Sequence, residues 1–187
     1  MALTPSTMLP LGTAAPPFDL PVAAGDSPFA APAGGRLALG DLAAAPALVV
    51  LFTCNHCPYA VAVEARTQAL ARAWPQVAFV AISSNDADAY PADSFAAMQR
   101  HGAGWPYPYL YDESQAVARA YDAACTPDYY LFDADRRLVY RGRLDDGRPG
   151  REATTTDLGD AIGRLLETGA VTGEQTPSMG CSIKWRP

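Results

Sequence analysis

Two cysteines separated by two residues, Cys54-Asn55-His56-Cys57, lie between an apolar run, Ala47 to Thr53, and an Ala-rich stretch beginning at Pro58. The order predicted is strand, Cys-x-x-Cys, helix. At a helix start the first backbone N–H groups lack intrahelical partners and the dipole is positive, so a thiolate there is stabilised and its pKa falls. The thiolate is the nucleophile of thiol chemistry, which makes Cys54, the more N-terminal sulfur, the expected attacker. Cys57, one turn further in, is placed to close a disulfide with it. An imidazolium at His56 would favour the thiolate further, stabilise the reduced form and make the disulfide a better oxidant.

Other chemistry-bearing residues are spread along the chain. Thr126-Pro127 precedes a strand, where a proline removes a ladder donor and marks a turn or a cis peptide. Cys125 is two residues before that proline, and Cys181 lies in a tail rich in Pro and Gly. The two are auxiliary-thiol candidates, either a resolving pair that relays electrons or one buried thiol and one tail thiol. Glu64 is seven residues after Cys57 and so on the same helical face, as a proton acceptor or a solvated glutamate. No second Cys-x-x-Cys and no His-x-x-x-His accompanies the first motif, so no metal ligand set is assigned.

The elements that position these residues alternate. A strand over 47–53, a helix from Pro58 to Trp74 ended by Pro75, and a strand over 77–82 make a βαβ unit, which implies a parallel sheet. A loop, Ser83 to Asp86, follows. A helix is expected over 93–101, capped near Pro91 to Asp93 and ended by Gly102, then a short strand over 109–111 and a helix over 113–121. Strands over 128–133 and 137–141 form an antiparallel hairpin. A last helix, capped by Thr156, carries Leu158, Ala161, Ile162, Leu165 and Leu166 at i, i+3, i+4, i+7 and i+8. Residues 1–45 are rich in Pro, Gly and Ala. They read as an N-terminal extension with a β-hairpin, from Phe18-Asp-Leu and Gly35 to Leu39, packed on the domain; residues 170–187 read as a C-terminal tail.

The whole chain, 187 residues, is expected to be one domain. A net charge of −6, with scattered Lys and Arg, excludes a basic stripe for nucleic acid. No stretch approaches the ~20 apolar residues of a membrane span, and the N-terminus has no basic n-region or sustained apolar h-region. A cytoplasmic location is therefore expected. Four cysteines are too sparse for a disulfide scaffold and point to catalytic, metal-binding or buried thiols.

Cys54-Asn-His-Cys57, Cys125-Thr-Pro127 leading into Asp128-Tyr-Tyr-Leu-Phe-Asp133, and Arg137-Leu-Val-Tyr-Arg-Gly142 together resemble the thioredoxin superfamily in its thioredoxin- and peroxiredoxin-like branch. The tail Thr176-Pro-Ser-Met-Gly-Cys-Ser-Ile-Lys-Trp185 resembles that of a peroxiredoxin-like subgroup. The resemblance, covering the chain from Gly12 onward, implies an α/β thioredoxin-like fold, a central mixed sheet flanked by helices. It implies Cys54 as nucleophile, Cys57 as resolving cysteine, Pro127 as a cis-proline facing the disulfide, and Thr126 as the residue whose backbone pairs with an incoming peptide. Asn55-His56 departs from the Gly-Pro of thioredoxin itself. The activity implied is thiol–disulfide exchange with no cofactor beyond the redox-active disulfide, its partners being protein or small-molecule disulfides and a thiol reductant. Two alternatives accompany it. Cys57-Pro58 matches the cysteine–proline step of peroxiredoxins, which would make the protein a thiol peroxidase, but Cys54 stands where those enzymes have a Thr, and Thr126-Pro127 where they have an activating arginine. A metal (copper) carrier would use the same cysteines.

Overall fold

The computed structural model describes residues 3–29 and 33–187. Its strands in chain order are β1 (Leu3–Pro5), β2 (Asp19–Ala24), β3 (Arg36–Ala38), β4 (Leu48–Phe52), β5 (Ala78–Ser83), β6 (Tyr109–Tyr111), β7 (Cys125–Thr126), β8 (Asp128–Phe132), β9 (Leu138–Gly142) and β10 (Met179–Ser182). The helices are α1 (Pro58–Ala73), α2 (Phe95–His101), α3 (Ala116–Ala120) and α4 (Asp157–Thr168). Seven strands form a central mixed sheet in the order β3-β2-β6-β5-β4-β8-β9. The inner strands β4, β5 and β6 are parallel, and β2, β3, β8 and β9 are antiparallel to their neighbours.

Successive side chains of a strand point to opposite faces, so a strand covered on both faces must be apolar throughout. β4 meets that condition: all five of its residues are buried. Val49 and Leu51 face α1 and α4, in a core with Val63, Ala71, Leu158 and Ile162. Leu48, Val50 and Phe52 face the opposite core with Phe18, Leu37, Leu42 and Tyr121. The sheet is thus flanked by helices, as the βαβ reading requires. Among the described residues no helix is long and apolar enough to cross a membrane.

Four features differ from the sequence-based expectation. The N-terminal hairpin does more than pack on the domain: β2 pairs with β6 and extends the central sheet. α2 starts at Phe95 because Ser94, not Asp93, caps it, its Oγ accepting from Ala97 N at 3.4 Å. α3 is shortened by Gln115, whose left-handed backbone (φ 62°) breaks the helix expected from 113, while the Asp112 carboxylate accepts from Ala118 N at 2.9 Å. The tail is not a loose end. Its strand β10 lies between β1 and β7 in a second, three-stranded sheet.

Candidate active site

Pro58 determines where α1 starts. Its ring sets a helical φ and it has no N–H to leave unpaired, so it suits the first helical position. Cys57 thereby becomes the N-cap, with extended backbone (φ −74°, ψ 120°). Its side chain makes no capping hydrogen bond, but the nearby Ala60 N–H lowers the thiol pKa. Cys54 sits at the end of β4, buried, with Sγ 3.4 Å from Thr126 Oγ1. Cys57 Sγ lies 3.3 Å from the Thr126 carbonyl oxygen. The Thr126–Pro127 peptide is cis. The fold therefore brings Cys54, Cys57, Thr126 and Pro127 into one place.

The proton is shared unequally between the two thiols. Cys57 is held down, to about 4, chiefly because Cys54 donates a hydrogen bond to it; burial opposes this, and the Cys181 thiol and the Ala60 N–H add to it. Cys54 is pushed far above the usual thiol range, first because it is that donor, then by burial and by the negative charge of Asp93. The 3.3 Å contact with the Thr126 carbonyl is a bond Cys57 makes only as a thiol, so it works against ionisation, while the neighbouring Cys54, Cys181 and Ala60 groups favour it. These shifts favour the thiolate on Cys57, whereas the sequence-based expectation placed it on Cys54. The helix start stabilises the sulfur at its N-cap, and Pro58 puts Cys57 there, three residues beyond Cys54.

Asp93, read from the sequence as part of a helix cap, lies fully buried under the Cys-x-x-Cys loop. Its carboxylate accepts from Asn55 N at 2.8 Å, from His56 Nδ1 at 2.6 Å and from Asn85 Nδ2 at 2.8 Å. Asn55 is clamped further, donating from Nδ2 to Ala92 O and accepting from the Tyr109 hydroxyl at 2.9 Å. His56 stacks on Tyr90 with ring centroids 5.3 Å apart. Its Nε2 is buried and has no hydrogen-bond partner among the described residues. Donor atoms of Cys54, His56 and Asp93 all lie within 4.8 Å of one another. The sequence held no local sign of this role, because an Asp before a helix satisfies a capping pattern whatever else it touches.

The auxiliary thiols part company. In the β7–β10 pair Cys181 is opposite Thr126 and Ser182 opposite Cys125. Cross-strand partners share a face and sequence neighbours alternate, so Cys125 and Cys181 point to opposite sides. Cys181 packs against Cys54, Cys57 and Ala60. Cys125 turns toward Pro127 O, at 3.7 Å, and burial pushes its thiol up, helped by the charge of Asp128. The structure does not bring the pair together. Nor is the Thr126 backbone free for an incoming peptide on the β10 side, since the chain's own tail pairs with it there. Glu64 is remote from the sulfurs' hydrogen bonds: it holds His101 Nε2 at 2.5 Å, which raises the imidazole pKa. Trp105 is buried and stacks on Tyr109, ring centroids 4.8 Å apart, supporting the residue that binds Asn55. Beside Pro127 a pocket of about 370 Å³ is lined by Tyr59, Val63, Tyr129, Arg143 and Met179 among others.

A mixed sheet with paired thiols at the start of the helix after its central strand, facing a cis-proline, defines a thioredoxin-fold protein. The chain belongs to the Redoxin family, whose model matches residues 10–162. It resembles the crystal structure of an uncharacterized conserved protein from Geobacillus kaustophilus, with a TM-score of 0.89 and 46% identity over 100% of this chain and 98% of that one. At the level of fold it resembles the thioredoxin domain of a thiol-disulfide oxidoreductase from Bacteroides vulgatus (TM-score 0.59, 16% identity, 85% of this chain and 99% of that one). It resembles equally the reduced 2-Cys peroxiredoxin of Plasmodium vivax (TM-score 0.59, 13% identity, 89% of each chain). No curated protein matches the sequence. Thiol redox chemistry is the function that family and fold support.

Proposed function

We propose that the protein is a thiol–disulfide oxidoreductase working through Cys54 and Cys57. The observation that carries this is the placement of both sulfurs at the start of α1 in one cluster against Thr126, Cys54 Sγ 3.4 Å from its hydroxyl and Cys57 Sγ 3.3 Å from its carbonyl oxygen. A shared proton leaves one sulfur a nucleophile at neutral pH and keeps the second ready to resolve the mixed disulfide. In the proposed sequence the Cys57 thiolate attacks a partner disulfide, one partner sulfur leaves as thiolate, and Cys54 then displaces the other. Cys54 has to lose its proton in that second step. The His56–Asp93 pair, which brings one ring nitrogen and one carboxylate oxygen within 4.8 Å of the sulfur, would serve as the base. Protein or small-molecule disulfides and a thiol reductant would be the partners, the disulfide itself the only redox group, and the cytoplasm the compartment.

Thiol peroxidase is the second reading, and the N-cap thiolate at Cys57 followed by Pro58 is what favours it. Against it, among the described residues the hydrogen bonds of the two sulfurs are to Thr126, and none comes from an arginine that could stabilise a peroxide transition state. One experiment separates the two: reduction of oxidised glutathione and of hydrogen peroxide, each with dithiothreitol as electron donor. Disulfide exchange predicts that Cys54→Ser and Cys57→Ser both abolish turnover of the disulfide. Fast peroxide turnover that survives Cys54→Ser and is lost in Cys57→Ser would overturn the proposal in favour of a peroxidase. Stoichiometric metal in the purified reduced protein would overturn it in favour of a carrier.

A further inference from the structure

We propose that Cys181 is a third redox-active thiol of this site, which exchanges with the Cys54–Cys57 disulfide to form a Cys57–Cys181 bridge and free Cys54. The proposal rests on the dithiol reading above and adds a step to it. Three observations place the thiol. Cys181 packs in one apolar cluster with Cys54, Cys57 and Ala60. Its side chain and that of Cys57 perturb each other's pKa, as two sulfurs in close proximity do. In the β7–β10 register it stands opposite Thr126, the residue that touches both other sulfurs.

The tail is built to hold it there. A Cβ on Gly180 would lie 1.9 Å from Thr126 O and 3.2 Å from Pro127 Cδ, so only glycine lets the tail approach the cis-proline this closely. On either side of Cys181 the strand is pinned, by Ser178 Oγ donating to Gly142 O at 2.7 Å and by Ile183 N donating to Ala124 O at 3.1 Å. Beyond it Lys184 N donates to Asn85 Oδ1, a residue that also binds Asp93. The resemblance to the superfamily put an incoming peptide on the backbone of Thr126. The tail occupies that backbone with a cysteine in register, as a substrate carried on the same chain.

The exchange balances without an external oxidant. Cys181 thiolate attacks Cys57 Sγ; the Cys57–Cys181 S–S bond forms as the Cys54–Cys57 bond breaks, and Cys54 leaves as thiolate and takes up the proton that Cys181 gave up. The Thr126 hydroxyl, 3.4 Å from Cys54 Sγ, is placed to donate to the departing sulfur. The oxidising equivalents are those already taken from a partner disulfide, and no electrons enter or leave the chain in this step.

The test is a disulfide map of the full chain, equilibrated in mixtures of oxidised and reduced glutathione, quenched in acid, alkylated, digested and analysed by mass spectrometry. The expected result is two bridged peptides, Cys54–Cys57 and Cys57–Cys181, with Cys54 alkylated in the molecules that carry the second. Cys181→Ala should lose the second bridge and keep the first. Cys54→Ser should form Cys57–Cys181 within one chain, migrating as a monomer without reductant. If every oxidised molecule carries Cys54–Cys57 with Cys181 alkylated, and Cys54→Ser forms no internal bridge, the third thiol is refuted while the dithiol reading stands. If Cys57–Cys181 forms and Cys54–Cys57 never does, the third thiol is supported and the dithiol reading falls.

Discussion

Removing the Cys54 sulfur tests where the thiolate resides. In the reduced protein Cys57 is held at about 4, and the largest cause is the hydrogen bond donated by Cys54. A hydrogen bond to a charged group contributes about 1.5–3 kcal/mol. One pKa unit corresponds to about 1.36 kcal/mol, so Cys54→Ala should raise the Cys57 pKa by about one to two units. The remaining donors, Cys181 and the Ala60 N–H, keep it below the value of a free thiol. Cys54→Ser retains a donor and should shift it less. The assay is the rate of alkylation of the fully reduced protein against pH, with the modified residue identified by peptide mapping. Wild type should show Cys57 reacting with a midpoint near 4 and Cys54 unreactive to well above neutrality. Two results would refute the reasoning. In one, the low-pH midpoint maps to Cys54; in the other, it does not move in Cys54→Ala.

The same proton arrangement sets the pH dependence of the redox couple. Below about 4 both thiols are protonated and reduction takes up two protons; above it Cys57 is already ionised while Cys54, raised, keeps its proton, so reduction takes up one. Between pH 5 and 8 the potential should therefore fall by about 30 mV per pH unit, against about 60 mV for a couple that binds two protons, measurable by glutathione equilibration at several pH values. Asp93→Asn keeps the shape of the buried side chain but leaves one of the donors from Asn55, His56 and Asn85 facing an amide N–H. It should cost about 1–3 kcal/mol in urea denaturation with an unchanged slope, and it should lower the Cys54 pKa by removing the charge beside it; an unchanged midpoint would show that the carboxylate does not hold the loop.

The central strand and its helix were legible because their signal is local. The apolar run of β4 and the proline after the second cysteine each state their own structure, and the spacing of Leu158, Ala161, Ile162 and Leu165 declares the buried face of α4. α3 was less legible, since a left-handed residue at Gln115 carries no strong composition signal. The second sheet was missed altogether. β1, β7 and β10 have three, two and four residues, too short for a period of two to show, and they are strands only because they meet.

Within the candidate site the same division holds. The sequence by itself determined that two thiols lie at a helix start, since strand, spacing and Pro58 are all contained in a dozen neighbouring residues. It also marked Thr126-Pro127 as the step before a strand. Only the tertiary structure bears on which sulfur holds the charge, because the groups that favour a thiolate at Cys57 come from Cys54, from Ala60 and from Cys181 far along the chain. Only it placed Asp93 beneath His56 and separated Cys125 from Cys181, the first by a loop packing across from α2, the second by a strand register. The physical reason is common to all three. A pKa and a hydrogen bond depend on what lies within a few ångströms, and most neighbours at that distance are contributed by parts of the chain whose separation in sequence says nothing about their separation in space.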